Sequence, residues 1–291
     1  MQGTRLKSVL RESIGNIWRE TRIALTPVPK PEKWLFVVGC YNSGTTLLAK
    51  LLAQHPDISG MPTEGHFITD QFVKDYQIGL PRMWVDREDL FRLDENDQGP
   101  DVIRLKKEWG MRLNRSKPVL LEKSPPNTAR TLWLQENFEN AYFIAIVRNG
   151  YAVAEGISRK ADPKHLKEGW PIEKAAWQWA RSNQVLREDA QKLKHIIWIT
   201  YEELASDPQA TLNKLSGFLG ISSFPESVSG TEFAVHERQG RVTDLNQVSI
   251  SNLTPEQFDK INQVAGEEIE RFGYPLIVPD SKPDSLRNES A

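Results

Sequence analysis

Cysteine is almost missing from these 291 residues: Cys40 stands alone, which excludes an intramolecular disulfide and points to a reducing compartment such as the cytoplasm. Long apolar runs are missing too. No stretch approaches the roughly 20 residues of a bilayer span, and the first 30 residues lack the apolar core of a secretory signal. Net charge is only −2, so no bulk field favours nucleic acid, and an anionic ligand must be met by a local cluster of positive groups. His165, His195 and His236 have no metal-ligand spacing, His55 reads as a helix-end residue, and no metal is expected. Nothing marks oligomeric state.

What is there reads as α/β. Short β-branched or aromatic runs at Trp34–Val38, Val119–Leu121, Tyr142–Val147 and Ile196–Thr200 each precede a helical pattern, the rhythm of a parallel sheet. Helices are expected near 45–54, 127–137, 150–159, 172–194, 208–219 and 255–272. The last opens with Thr254-Pro255-Glu256-Gln257, a capping residue followed by proline at the first helical position. The implied architecture is a P-loop-like, three-layer domain over 31–278, with a central, mainly parallel sheet flanked by helices.

Residues 1–30 form a basic extension with an approximately helical stripe of Val9, Leu10, Ile14, Ile17 and Trp18. It reads as a helix packed on the domain or a solvated segment, with a membrane or partner contact as the other reading. Residues 67–117 read as a helical insertion on the acceptor side, and the proline- and serine-rich stretch 279–291 as a poorly ordered tail.

The stretch "VVGCYNSGTT" carries the chemistry. Its Gly39-x-x-x-x-Gly44-x-Thr46 spacing is that of a phosphate-cradling loop, but the usual lysine position is Thr45. Backbone N–H groups, a helix N-terminus and the hydroxyls of Thr45 and Thr46 still suit phosphate. The strand "YFIAIV" leads into Arg148, a poor metal ligand and a good phosphate ligand, where a triphosphate-metal enzyme would need an aspartate.

With these residues in the right order, the chain resembles the sulfotransferases that use 3′-phosphoadenosine 5′-phosphosulfate (PAPS). In motif layout it is most similar to tyrosylprotein sulfotransferases and related bacterial enzymes. The segments "NSGTTLLAKLLAQHPDI", "LLEKSPPNTARTLWLQENFENAYFIAIVRNGYAVAEGISRK" and "IIWITYEELASDPQATLNKLSGFLGI" carry the likeness.

The resemblance implies a PAPS site formed by Tyr41, Asn42, Ser43, Gly44, Thr45 and Thr46 at the 5′-phosphosulfate and by Arg148 at the 3′-phosphate. Ser158 and Arg159 stand near a place where the family has serine and this chain has Gly156. Tyr201 lies by the nucleotide, and Arg238 or Arg241 belongs to a loop over the 3′-phosphate. A second departure is Asn42, where the family carries a lysine or arginine. Lys123 is then the expected cation at the sulfuryl group, with a structural pair to Glu122 as the alternative. Glu64 or His66 is the expected base, acting on an acceptor hydroxyl of a carbohydrate, metabolite or peptide tyrosine. A P-loop kinase of a small metabolite, and an inactive nucleotide-binding protein of the same fold, are the rival readings.

Overall fold

The computed structural model describes residues 15–160, 169–228, 233–235, 238–240 and 243–278. Five strands, β1 (Lys33–Val38), β2 (Ile58–Gly60), β3 (Val119–Lys123), β4 (Ala141–Val147) and β5 (Ile196–Thr200), form one sheet in the order β2-β3-β1-β4-β5, every pair parallel. β2 has no counterpart in the sequence reading, because three residues ending in glycine carry too little alternation to register.

Side chains alternate across β1 as the pleat requires. Leu35 and Val37 face Leu48 and Leu51 of α2 (Thr45–Leu52) and Leu212 and Leu215, whereas Trp34, Phe36 and Val38 face Trp109, Trp133 and Phe138. Both faces of the sheet are therefore covered, giving three layers. A further apolar cluster joins α7 (Gly150–Arg159), α8 (Ile172–Ala190) and the last helix (Pro255–Arg271) around Tyr151, Trp179 and Ile269. Trp170 and Trp179 are buried there, whereas Trp177 lies on the exposed side of α8.

Local chemistry sets the ends of these elements. Thr254 accepts from Gln257 N while the Gln257 side chain returns to Thr254 N, the reciprocal cap that the sequence foreshadowed. Asn149 accepts from Tyr151 N at 3.0 Å and starts α7 directly after the sheet. The expected 127–137 helix begins instead as a 3-10 segment, Pro125–Arg130, because two prolines lead it, and becomes α-helical only over Thr131–Asn137.

Between β2 and β3, residues 61–118 hold only short helices; the longest runs over Val102–Gly110. The described part of the N-terminal segment is a helix over 15–25. It docks through polar pairs, Arg19 to Glu108 at 2.6 Å and Glu20 to Arg104 at 2.7 Å, and Ile23 is buried. Ile17, Trp18 and Leu25 stay exposed. No helix of the described residues is long and apolar enough to cross a membrane.

Candidate active site

The parallel register brings three strand ends together. Val37 pairs with Lys123 on one side and with Ile144 on the other, so the loop after β1 sits between the ends of β3 and β4. That edge, at the carboxyl ends of the strands, is where open α/β sheets bind ligands.

The loop is held in a shape that few residues tolerate. Gly39 has φ +145°, and a Cβ there would stand 2.3 Å from the Ile146 carbonyl oxygen, so no side chain fits. Gly39 N donates to Thr128 Oγ1 at 3.0 Å, and Asn42 adopts φ +61°. Gly44, at φ +95°, leads into α2, whose first turn carries neither a capping side chain nor an acid. The N–H groups at that helix end thus face a site suited to an anion.

Three buried polar atoms around this loop, Asn42 Nδ2, Ser43 Oγ and Arg148 NH2, have no hydrogen-bond partner among the described residues. Buried polar atoms are nearly always paired, and all three of these can donate. Arg148 is otherwise held in place: Nε donates to Asn246 Oδ1 at 2.7 Å, NH1 to the Asn42 carbonyl at 3.0 Å, and the guanidinium carbon lies 4.2 Å from the Tyr201 ring centre. Burial pulls its pKa below the usual arginine value, an electrostatic cost that a bound phosphate would offset. Tyr201 donates from its hydroxyl to Thr243 O at 2.8 Å, which ties the 243–246 segment to the sheet edge.

On the opposite side of the loop, Lys123 Nζ donates to Thr46 Oγ1 at 3.0 Å and contacts Glu64 Oε1. Glu122 takes no part in that pair. Its buried carboxylate instead accepts from Gly65 N at 2.8 Å, from Ser124 Oγ and from Asn127 Nδ2. Adjacent residues of a strand point to opposite faces, so Lys123 reaches the loop and Glu122 braces the 64–66 turn. Trp109 Nε1 completes the brace by donating to Gly65 O at 3.1 Å. A Cβ at Gly65 would meet Glu122 Oε1 at 2.7 Å and Trp109 Nε1 at 2.8 Å, which leaves glycine as the fitting residue beside Glu64.

His66 is buried against Phe67, and its Nδ1 stands 3.6 Å from Glu64 Oε2. Burial first, then the positive charges of Arg130, Lys123 and Lys74, hold its pKa down to about 3. At neutral pH it is an uncharged imidazole of very low proton affinity, a poor general base.

Burial pushes the carboxyl of Glu122 up to about 7 from 4.5. A carboxyl raised on folding binds more protons in the native state between those two values. It stabilises the fold at low pH and loses that contribution as pH rises toward 7, at up to about 1.4 kcal/mol per unit. The stability advantage of the wild type over Glu122→Gln is therefore expected to shrink between pH 4.5 and 7, read from denaturation midpoints at each pH. A constant difference across that window would refute the protonated, buried Glu122.

The remaining candidates are placed as follows. Asn42 and Gly156 face each other, and a Cβ at Gly156 would lie 3.2 Å from Asn42 Nδ2. The two departures from the family pattern are thus one packing arrangement, in which the asparagine fills space that a serine would crowd. Ser158 is turned elsewhere: two residues along, a helix has rotated by about 200°. Its hydroxyl donates to Trp170 O at 2.6 Å, closing the end of α7 instead of joining the loop. Arg159 pairs with Glu155 at 2.5 Å on the partly exposed side of the same helix. Arg238 belongs to a short antiparallel pair, Phe233–Val235 with Arg238–Gly240, and Arg241 lies outside the described residues. Cys40 is buried and its thiol is pushed up to about 12 by burial, so it stays protonated. Tyr41 donates from its hydroxyl to Asp75 Oδ2 at 2.8 Å, pointing into the insertion.

Residues 35–226, most of the described domain, match the sulfotransferase family. The chain belongs to that family. Among relatives of this sulfotransferase, the protein-tyrosine sulfotransferase A of Caenorhabditis elegans is 24% identical over 198 residues, 65% of this chain and 50% of its own, so the chain spans half that relative's length. Among solved structures, sulfotransferase STF9 of Mycobacterium avium shares 16% identity at a TM-score of 0.59, over 91% of this chain and 82% of that one. Mouse sulfotransferase SULT7A1, solved with PAP, shares 18% identity at a TM-score of 0.50, over 84% of this chain and 90% of that one.

Sequence reasoning overlooked four parts of this candidate site: Thr128, which accepts from Gly39 N; Asn246, which orients Arg148; Glu122 as a brace; and Arg82, whose NH1 reaches Asn42 Oδ1 at 2.7 Å. Only Glu122 had a local signal, through its neighbour Lys123 at the strand end.

Proposed function

We propose that the chain transfers a sulfuryl group from PAPS to an acceptor hydroxyl. The observation that carries this reading is the set of unpartnered donors at Asn42, Ser43 and Arg148 around one helix N-terminus. PAP bound to mouse SULT7A1, which shares the fold, supports it too. Ser43, Gly44, Thr45 and Thr46 would hold the 5′ end of the nucleotide, and Arg148 the 3′-phosphate, its orientation fixed by Asn246 and the Tyr201 ring.

The donor supplies an activated sulfur: an acceptor oxygen–sulfur bond forms, the bond from sulfur to the bridging oxygen breaks, and its electron pair stays on that oxygen. Glu64 takes the acceptor proton. Lys123 meets the charge on the transferring group from the side opposite Arg148, and Thr46 keeps its ammonium at the loop. Lys123 contacts Glu64, and this pairing of the proposed base with the proposed cation supports the reading that the acceptor oxygen arrives beside them. The peptide tyrosine handled by the nematode relative, a carbohydrate and a small metabolite all present the hydroxyl that this chemistry requires.

The test is binding of PAP by calorimetry in the presence of chelator, followed by transfer of radiolabelled sulfate from PAPS to a panel of phenols, sugars and peptides. Wild-type protein is expected to bind PAP without added magnesium. Arg148→Ala is expected to weaken that binding by about 100-fold, since truncating one side of a buried charge pair costs about 2–5 kcal/mol. Tight magnesium-ATP binding with no response to PAP would sink the reading.

A further inference from the structure

The loop has a neutral residue, Asn42, at its turn, while the reaction leaves negative charge on the bridging oxygen that the loop must hold. The structure brings a cation to that place from elsewhere in the chain. Arg82, forty residues along and inside the insertion, donates from NH1 to Asn42 Oδ1 at 2.7 Å. Among the described residues its guanidinium makes one hydrogen bond, from NH1 to Asn42 Oδ1, and no ion pair with a carboxylate. An arginine with most of its donors uncommitted, half-buried against an anion-binding loop, is well suited to a phosphate or sulfate oxygen.

The chain accepts unfavourable backbone geometry to hold Arg82 there. Its φ is +61°, a left-handed conformation that a long side chain disfavours and that persists only where surrounding contacts fix it. Those contacts are present. Arg82 N donates to Asp75 Oδ2 at 2.7 Å, the same oxygen that accepts from the Tyr41 hydroxyl. Leu80 N donates to Asp75 O at 2.9 Å, and the Pro81 carbonyl accepts from Trp170 Nε1 at 2.8 Å. Asp75 therefore clamps both ends of the bridge: Tyr41, next to Asn42 in the loop, and Arg82, which reaches back to Asn42.

Resting on the PAPS reading, we infer that Arg82 is a catalytic residue of this sulfotransferase, contacting the 5′-phosphate oxygen that leaves in the transfer and supplying the charge absent from position 42. Lys123 and Arg148 are engaged on other sides of the loop, with Thr46 and Glu64 and with Asn246. The acceptor is not part of the argument. PAP already carries, on its 5′-phosphate, the oxygen and charge that Arg82 would meet after transfer.

That permits a binding test free of any acceptor, using the full chain and two nucleotides. PAP has both phosphates, and adenosine 3′-monophosphate lacks the 5′ one. Arg82→Ala is expected to weaken PAP by about tenfold or more, the scale of a charge-assisted contact, and to leave adenosine 3′-monophosphate within about twofold. Adding Asn42→Lys to Arg82→Ala is expected to recover most of the PAP affinity, because the charge then comes from the loop itself. An unchanged PAP affinity in Arg82→Ala overturns the assignment, and so does an equal loss for both nucleotides, the mark of a structural role. Wild-type protein that binds neither nucleotide would fail differently, removing the PAPS reading itself.

Discussion

Lys123→Ala is expected to lower the rate of sulfuryl transfer by about 10²–10³-fold, the usual effect of removing one preorganised donor to a developing charge. PAP affinity should change far less, by about threefold at most, because the product no longer carries the sulfuryl group that this ammonium would face. The reasoning is geometric. The ammonium lies at the end of β3, in register with Val37 just before the loop, and is held by Thr46 Oγ1 at 3.0 Å. Initial rates with radiolabelled PAPS, alongside calorimetry with PAP, separate the two quantities. A variant whose rate stays within about fivefold of wild type would show that Lys123 is only a structural partner of Glu64.

The second large effect concerns the base. Glu64→Gln keeps the shape and the hydrogen-bonding capacity of the side chain but removes the proton acceptor, and a loss of about 10²–10⁴-fold in turnover is expected. His66→Gln, two residues along, should cost much less, because burial and three nearby cations already hold His66 as a neutral, weakly basic imidazole with a pKa of about 3. Turnover of both variants across pH 5.5–8.5 distinguishes the candidates. Were His66→Gln the crippled variant and Glu64→Gln the active one, the base would be misassigned.

The shape of the glycine loop after the first strand was legible because its signals are local. Gly39, Gly44 and Thr46 follow one another in a single loop, and a strand of alternating face residues precedes them, so backbone geometry alone fixes their relation. The position of Arg148 beside that loop was legible for the same reason, as the residue just beyond Val147. The orientation of Ser158 was not legible, because spacing along the chain ignores helical phase and two residues of α7 turn its hydroxyl from Gly156 toward Trp170 O. Arg82, Thr128 and Asn246 carried no signal, since each meets the loop or Arg148 across 40 to 98 residues of chain and only the fold brings them together. The roles of Asn42 and Gly156 were visible as two separate irregularities. Their mutual contact, which makes them one feature, was not.

The Asp75 clamp between Tyr41 and Arg82 has a consequence for anyone who would redesign this protein. Segments between the second and third strands look like exchangeable cassettes, to be swapped for a new acceptor preference while the nucleotide machinery stays behind. Here the cassette contains one prong of that machinery. A graft from a donor whose own loop is already charged would arrive without an arginine to lend, and the chimera would fold, hold its nucleotide less tightly and stall. Transplants into this scaffold need either a basic residue at the equivalent of position 82 or a lysine written into position 42.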